Sequence, residues 1–194
     1  MAKLYFRYGA MNCGKTTALM QVAHNYLERG MRPIILKPQV DSKAGMKIES
    51  RLGIQKEVDY LVSKEENIYE IVEKDRKEAE LHCVLVDEAQ FFNPEQIDQL
   101  FMVAVKQGIP VICYGLRTDF LMNGFPGSAR LLLIAHSIEE LKTICACGKK
   151  ALINGRKING KFVFEGKQVA IDGDNKVEYE PLCPECYLRF KENR

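Results

Sequence analysis

Gly9-Ala10-Met11-Asn12-Cys13-Gly14-Lys15-Thr16 is a complete GxxxxGK[ST] phosphate-binding loop, set directly after the apolar run Leu4, Tyr5, Phe6 and directly before the helical pattern of Ala18 to Leu27. Glycine is needed at Gly9 and Gly14 because the backbone turns tightly and brings its N–H groups against phosphate oxygens with no Cβ in the way. Lys15 then reaches the β and γ phosphates, and Thr16 supplies a hydroxyl to Mg²⁺. The partial positive charge at the start of the following helix adds to the attraction for polyphosphate. A chance glycine-rich turn beside a lysine is the bland alternative, and the strand and helix on either side argue against it. Gly9 to Thr16 are therefore expected to hold a nucleoside triphosphate.

Outward from this loop, short β-rich apolar runs alternate with amphipathic stretches. Leu4 to Tyr8 is followed by a helix to about Arg29 and a strand at Pro33 to Lys37. A helix near Ile68 to Lys77 precedes Cys83, Val84, Leu85 and Val86, then a helix opening around Pro94, then Val111 to Tyr114. This rhythm predicts an α/β fold, a mainly parallel sheet flanked by helices. Asp41 to Gly53 is polar with two glycines and no sustained period, and reads as a mobile flap. After about Leu141 the pattern changes to short strands, with Asn-Gly at 154 and 159 and Asp-Gly at 172. The expected organisation is a nucleotide-binding α/β domain over 1–141 and a small β-rich domain over 142–194.

The 194 residues, 46% hydrophobic, are enough for one ordinary domain with a small appendage. A net charge of +2, from 28 basic and 26 acidic side chains, calls for neither a nucleic acid nor a membrane as partner. The N-terminus lacks a signal-type apolar region, and no apolar run approaches the ~18 residues of a membrane span, so a cytoplasmic location is expected.

Val84, Leu85, Val86, Asp87, Glu88 is an apolar strand ending in two acids, the partner that a phosphate-binding loop requires in an enzyme. Asp87 is expected to hold Mg²⁺, and Glu88, one residue past the strand, is the candidate general base. Ala89 and Gln90 complete the nucleotide-binding set. Two acids that only cap the next helix are the structural alternative.

Seven cysteines in a chain of this kind suggest metal rather than disulfides. Cys145 and Cys147, with Cys183 and Cys186, form two close thiol pairs suited to tetrahedral Zn²⁺. With all four positions thiolate there is no place for a reacting water, so the ion is expected to staple the fold. A redox role for Cys183-Pro-Glu-Cys186 is the competing reading. Cys13, Cys83 and Cys113 read as packing residues. His24, His82 and His136 are scattered and take no role.

Taken together, G-A-M-N-C-G-K-T, then V-D-E-A-Q-F-F at 86–92, Y-G-L-R-T-D-F at 114–120 and the two cysteine pairs resemble the zinc-containing thymidine kinases over nearly the whole chain. Tyr179 lies four residues before Cys183, as in the family's Tyr-x-x-x-Cys. The resemblance implies transfer of the γ-phosphoryl of ATP to the 5′-hydroxyl of thymidine in nucleotide salvage for DNA synthesis, with Lys15 and Glu88 catalytic. It also implies a homotetramer, inhibition by thymidine triphosphate (dTTP), and a lasso in the C-terminal zinc domain closing over the nucleoside. Carried over by motif, Met11, Phe91, Leu116, Phe120 and Phe125 become walls of the thymine pocket, closed by Tyr179, with Asn154, Gln168 and Ile171 further site positions. Arg130 is expected to pair on a helix surface, and Arg156 to face either phosphate or solvent.

Two segments depart from the family pattern. Asp41, Ser42, Lys43, Ala44 replaces the usual Asp-x-Arg-aromatic run, so Lys43 keeps charge without the planar fork and Arg51 becomes a candidate for that role. Ile171 to Tyr179 is also about two residues longer than the family spacing, so the lasso is expected to differ in shape. A helicase-like motor and a zinc-ribbon nucleic-acid binder are the other readings. The chain has room for only one of the two domains that a motor uses, and acidic residues oppose the basic stripe that a binder needs.

Overall fold

The computed structural model describes residues 1–39, 45–168 and 176–193. In chain order these form β1 (Leu4–Tyr8), α1 (Lys15–Leu27), β2 (Pro33–Pro38), β3 (Lys47–Glu49), β4 (Gln55–Glu57), β5 (Tyr60–Val62), α2 (Ile68–Glu78) and β6 (Cys83–Val86). There follow α3 (Pro94–Met102), β7 (Val111–Gly115), α4 (Pro126–Ile134), β8 (Ser137–Glu140), β9 (Thr143–Ile144) and β10 (Lys150–Ala151). The chain closes with β11 (Ile153–Ile158), β12 (Lys161–Val163), β13 (Val177–Leu182) and α5 (Pro184–Glu192).

Six strands in the order β5-β2-β6-β7-β1-β8 make one sheet, every pair parallel. The central runs Pro33–Pro38, Cys83–Val86 and Val111–Gly115 are buried at every position, as strands covered on both faces must be. Alternation then divides their side chains between two cores. Ile34, Leu36, Val84, Val86, Val111 and Cys113 pack with Ile68, Val72, Ile97, Leu100 and Leu131 of α2, α3 and α4. Ile35, Leu85, Ile112 and Tyr114 pack instead under Leu19, Met20 and Ala23 of α1. Helix starts carry their own signals: Asn67 accepts from the Glu70 N–H, and Asn93 with Gln96 forms a capping box ahead of Pro94.

A third core, separate from the sheet, gathers Ala151, Ile153, Phe164, Leu182 and Tyr187 around the cysteines. Its frame is the antiparallel sheet β12-β11-β13 and the β9-β10 hairpin.

The flap expectation needs correcting. Positions 40–44, including the Asp41–Ala44 departure, lie outside the described residues, but β3 and β4 pair antiparallel through Ile48 and Lys56. Buried Ile48 between exposed Lys47 and Glu49 seats this hairpin. An alternation only three residues long is too short to register as a strand in the sequence.

Candidate active site

β1 ends at Tyr8 and the chain turns back into α1 across the carboxyl ends of β7 and β1, with the Gly9 N–H on the Gly115 carbonyl at 3.3 Å. A side chain at Gly9 would place its Cβ 2.4 Å from the Leu141 carbonyl and 2.5 Å from the Cys13 sulfur, so no other residue fits there. Gly14 stands in left-handed conformation at φ 79°, immediately before α1, with no side chain capping the helix. The first-turn N–H groups are left facing the cleft, the arrangement that receives an anion. Lys15 folds back over the loop and donates to the Ala10 carbonyl at 3.0 Å and the Gly9 carbonyl at 3.3 Å, with its Nζ 3.5 Å from the Cys13 sulfur.

The acids arrive from β6, two strands away. Asp87 directs its N–H to the Leu36 carbonyl at 3.0 Å, and its Oδ2 accepts from the Thr16 hydroxyl at 3.4 Å. Burial, and next the charge of Glu88, push the Asp87 carboxyl up to about 7, against the Glu88 N–H, Lys37 and Lys15, which pull it down. Glu88 adopts φ 52°, ψ 38°. For a non-glycine residue this left-handed geometry costs roughly 1–2 kcal/mol, and it is held in place from outside. Buried Gln90 does the holding: its amide donates to Glu88 Oε2, and its carbonyl accepts from the Leu116 N–H at 3.0 Å. Gln90 thus orients Glu88, and its own amide is engaged by protein.

Lys15, Thr16, Glu88, Met11 and Leu116 line one cleft of about 790 Å³, whose far wall is the β3-β4 hairpin at Glu49 to Leu52. Arg51 is on that wall. A second chamber of about 510 Å³ shares Thr16, Glu49 and Glu88 with the first, and adds Asp87, Lys37 and Lys47.

The expected thymine-pocket residues fall into two groups. Met11 and Leu116 line the main cleft. Phe91 meets Phe125 edge to face, centroids 5.5 Å apart at 82°. Phe120 is buried beneath Arg156, whose guanidinium carbon is 3.6 Å from the ring centroid. Asn154 is buried with both ends of its amide engaged: Oδ1 accepts from the Met11 N–H at 2.7 Å and Nδ2 donates to the Thr118 carbonyl at 3.1 Å. It joins the phosphate loop to the segment carrying Phe120. Ile171 lies outside the described residues.

Arg156 faces neither phosphate nor solvent, contrary to both expectations. It is 3% exposed, and donates to the Tyr179 hydroxyl at 3.0 Å and to the Lys167 and Gln168 carbonyls at 2.8 and 2.7 Å. Strand pairing sets Arg156 of β11 directly beside Tyr179 of β13, a relation no local motif announces. Arg130 pairs with Asp98 at 2.7 Å on the helix surface, as expected. Three further residues are not singled out in the sequence. Lys37 closes an apolar strand, Asp119 accepts from the Leu121 and Asn123 N–H groups to shape the turn around Phe120, and Tyr187 donates to the Phe120 carbonyl at 3.1 Å. Asp119 lies within the Y-G-L-R-T-D-F run and Tyr187 one residue after Cys186, so both stand in or beside a motif.

The four sulfurs of Cys145, Cys147, Cys183 and Cys186 lie within 4.8 Å of one another, and those of Cys147 and Cys183 are 3.5 Å apart. Thiolates about 2.3 Å from a tetrahedral ion stand roughly 3.8 Å from each other, so the set fits Zn²⁺. The Cys186 N–H and Arg189 Nη2 also approach the sulfurs of Cys183 and Cys186 at 3.5 Å, the outer contacts that orient such ligands. Cys83 and Cys113 are buried packing residues. Among the described residues no helix is long and apolar enough to cross a membrane.

This geometry can be set beside known proteins. The thymidine kinase family model matches residues 2–187. The thymidine kinase of Francisella tularensis subsp. holarctica (strain LVS) is 46% identical over 181 residues, 93% of this chain and 91% of that protein. That of Shewanella oneidensis is 44% identical over 192 residues, 98% of each chain. That of Vibrio vulnificus (strain CMCP6) is 46% identical over 189 residues, 96% of this chain and 97% of that protein. Among solved structures, one of two coordinating Pif1 helicases at forked dsDNA superposes with a TM-score of 0.39 at 15% identity, over 74% of this chain and 40% of that one. With the phosphate loop, the paired acids and the four-cysteine cluster assembled in one chain, and the family model running through them all, the chain belongs to the thymidine kinase family.

Proposed function

We propose that this chain transfers the γ-phosphoryl of ATP to the 5′-hydroxyl of thymidine, giving thymidine monophosphate and ADP in deoxynucleoside salvage. The observation that carries the reading is the meeting of Lys15, Thr16 and Glu88 with the apolar pair Met11 and Leu116 around one cleft, with Asp87 bonded to Thr16 beside it. Family membership supplies the choice of thymidine.

In this mechanism the loop N–H groups and Lys15 bind and orient the triphosphate. Glu88, aimed by Gln90, takes the proton of the 5′-hydroxyl as that oxygen bonds to the γ-phosphorus. The bond from that phosphorus to the β–γ bridging oxygen breaks, and ADP leaves. Positioning and fixed charge supply most of the rate. Thr16 and Asp87 would hold Mg²⁺, which when bound neutralises phosphate charge. Phe91, Phe120 and Phe125 form the pyrimidine end of the site, with Tyr179 as its closure, because a base with an apolar face is read adequately by such walls.

Division at about 141 into nucleotide and lasso domains, structural Zn²⁺ at the four cysteines, a homotetramer, dTTP inhibition and a cytoplasmic location belong to the same proposal, as does the absence of a nucleic-acid partner. The deciding experiment incubates purified protein with Mg-ATP and, separately, thymidine, deoxycytidine, deoxyadenosine or single-stranded DNA, following ADP and nucleoside monophosphate together. Thymidine-dependent ADP with matching monophosphate is expected. ADP release driven by DNA without monophosphate would overturn the reading in favour of a motor.

A further inference from the structure

The mechanism leaves the buried Lys37 unused. Lys37 follows Leu36, which is paired with Val86 in the sheet, so Lys37 and Asp87 are the next positions along two adjacent parallel strands, at the same carboxyl rim. Lys37 is 9% exposed, and its Nζ donates to the Lys47 carbonyl at 3.2 Å. Among the described residues no carboxylate lies within ion-pair distance of that ammonium. Asp87 is near enough to feel its charge, but the hydrogen-bond partner of the ammonium is a carbonyl, and a buried cation held in this way gains from an anion that joins it.

The chamber that Lys37 lines indicates which anion. Thr16, Asp87 and Glu88 are among its walls, and it shares Thr16, Glu49 and Glu88 with the main cleft beside it. Lys15, by contrast, is tethered to the Gly9 and Ala10 carbonyls on the phosphate-loop side. Lys37 comes from β2, and Lys15 from the start of α1 just after β1, so in the order β2-β6-β7-β1 they approach the β6 acids from the two sides. A transferring phosphoryl group spreads its charge over three equatorial oxygens, and one loop lysine does not meet all of them.

We propose that Lys37 is a further catalytic residue, an ammonium that contacts the γ-phosphoryl group in the transition state from the side opposite Lys15. The inference rests on the kinase reading. It also assigns the β3-β4 hairpin a function, since the Lys47 carbonyl fixes where the ammonium points.

The test compares wild type, Lys37→Met and Lys37→Gln. Wild type must first form ADP with thymidine; failure there sinks the kinase reading itself and is seen before any variant is made. Lys37→Met removes the charge at similar length. Lys37→Gln removes it while keeping an N–H donor for the Lys47 carbonyl, and so separates phosphate contact from hairpin anchoring. Both variants are expected to lose about 10²-fold or more in kcat with KM for ATP and thymidine within about threefold, the pattern of a contact made only in the transition state. A second readout is calorimetric binding of ADP with aluminium fluoride, Mg²⁺ and thymidine, a mimic of the transferring phosphoryl group. Its affinity should fall by a similar factor while ADP alone binds as in wild type. Recovery of wild-type kcat in Lys37→Gln, or equal losses of mimic and ADP affinity, would overturn the proposal in favour of an anchoring role. If Lys37→Met does not fold, Lys37→Gln alone decides by the same criteria.

Discussion

The guanidinium of Arg156 lies over the ring of Phe120, 3.6 Å from carbon to centroid, and donates to the Tyr179 hydroxyl and two successive carbonyls at Lys167 and Gln168. One planar group thus fixes a pocket wall, the proposed closing tyrosine and the backbone at Lys167 and Gln168. Lysine keeps the charge but cannot reproduce three directed donors and a stacked plane. Arg156→Lys is expected to raise the KM for thymidine about tenfold or more, the scale of two or three lost hydrogen bonds, with the KM for ATP within about threefold. Steady-state kinetics with each substrate varied will check this; an unchanged thymidine KM would remove Arg156 from the pocket.

Asn154 reaches in two directions, to the Met11 N–H and the Thr118 carbonyl. Asn154→Ala should raise both KM values about fivefold, since one bond of about 1 kcal/mol is lost on each side. Asn154→Asp keeps an acceptor for Met11 but sets a carboxylate against the Thr118 carbonyl. Its defect should therefore fall mainly on thymidine. Equal defects in the two variants would show that the amide does not act as a two-sided clamp.

Tyr187, one residue beyond Cys186, joins the four-cysteine cluster to the proposed pocket by donating its hydroxyl to the Phe120 carbonyl at 3.1 Å. Tyr187→Phe is expected to retain full zinc by elemental analysis while the thymidine KM rises severalfold. Cys183→Ser should lose zinc and lower the melting temperature by several degrees or more, because the ion's binding energy is folding energy for this segment. Loss of zinc in Tyr187→Phe would instead place the tyrosine in the metal scaffold alone.

Chemistry that is local in the chain was legible in the sequence. The phosphate loop spans eight consecutive residues, the two acids directly follow a strand, and each cysteine pair is a short motif, so loop, acids and thiols are found without coordinates. The parallel sheet is legible for a similar reason, since strands buried on both faces appear as unbroken apolar runs such as Cys83–Val86. Arg156 and Phe120 lie 36 positions apart, and Lys37 meets the acids only through the pairing of β2 with β6. Long-range relations of this kind have no period or spacing to be read. Asn154 shows the remaining gap: the family motif marked its position, but only its two bonds show that its amide joins the two halves of the site.

Asp87 gives a pH signature in ligand-free, metal-free protein. Its carboxyl is pushed up to about 7 in the fold, by burial first and by Glu88 second, against about 3.9 in an unfolded chain. Between those values the folded state holds a proton that the unfolded state has released, so stability falls as pH rises through about 4 to 7 and is flat above. Asp87→Asn removes that dependence. Its melting temperature should exceed wild type by about 5 °C or more at pH 8, with the gap closing as pH falls towards 4. A gap of the same size at both ends of the range would mean that Asp87 is ionised throughout.

Glu88 carries the largest single expectation. It sits at φ 52°, a geometry unfavourable for glutamate, and one carboxylate oxygen is engaged by Gln90 while the residue borders both chambers. A carboxylate retained at such cost and aimed by a buried amide is suited to accept a proton at a fixed point. Glu88→Gln preserves size and removes the basic site. It should bind ATP and thymidine as wild type does and reduce kcat by roughly 10²-fold or more, the scale of lost general-base catalysis. Gln90→Ala should show a smaller loss in kcat, since it frees the carboxylate without neutralising it. Near-normal turnover in Glu88→Gln would leave the 5′-hydroxyl proton to pass directly to phosphate, and Glu88 would then be only an orienting wall.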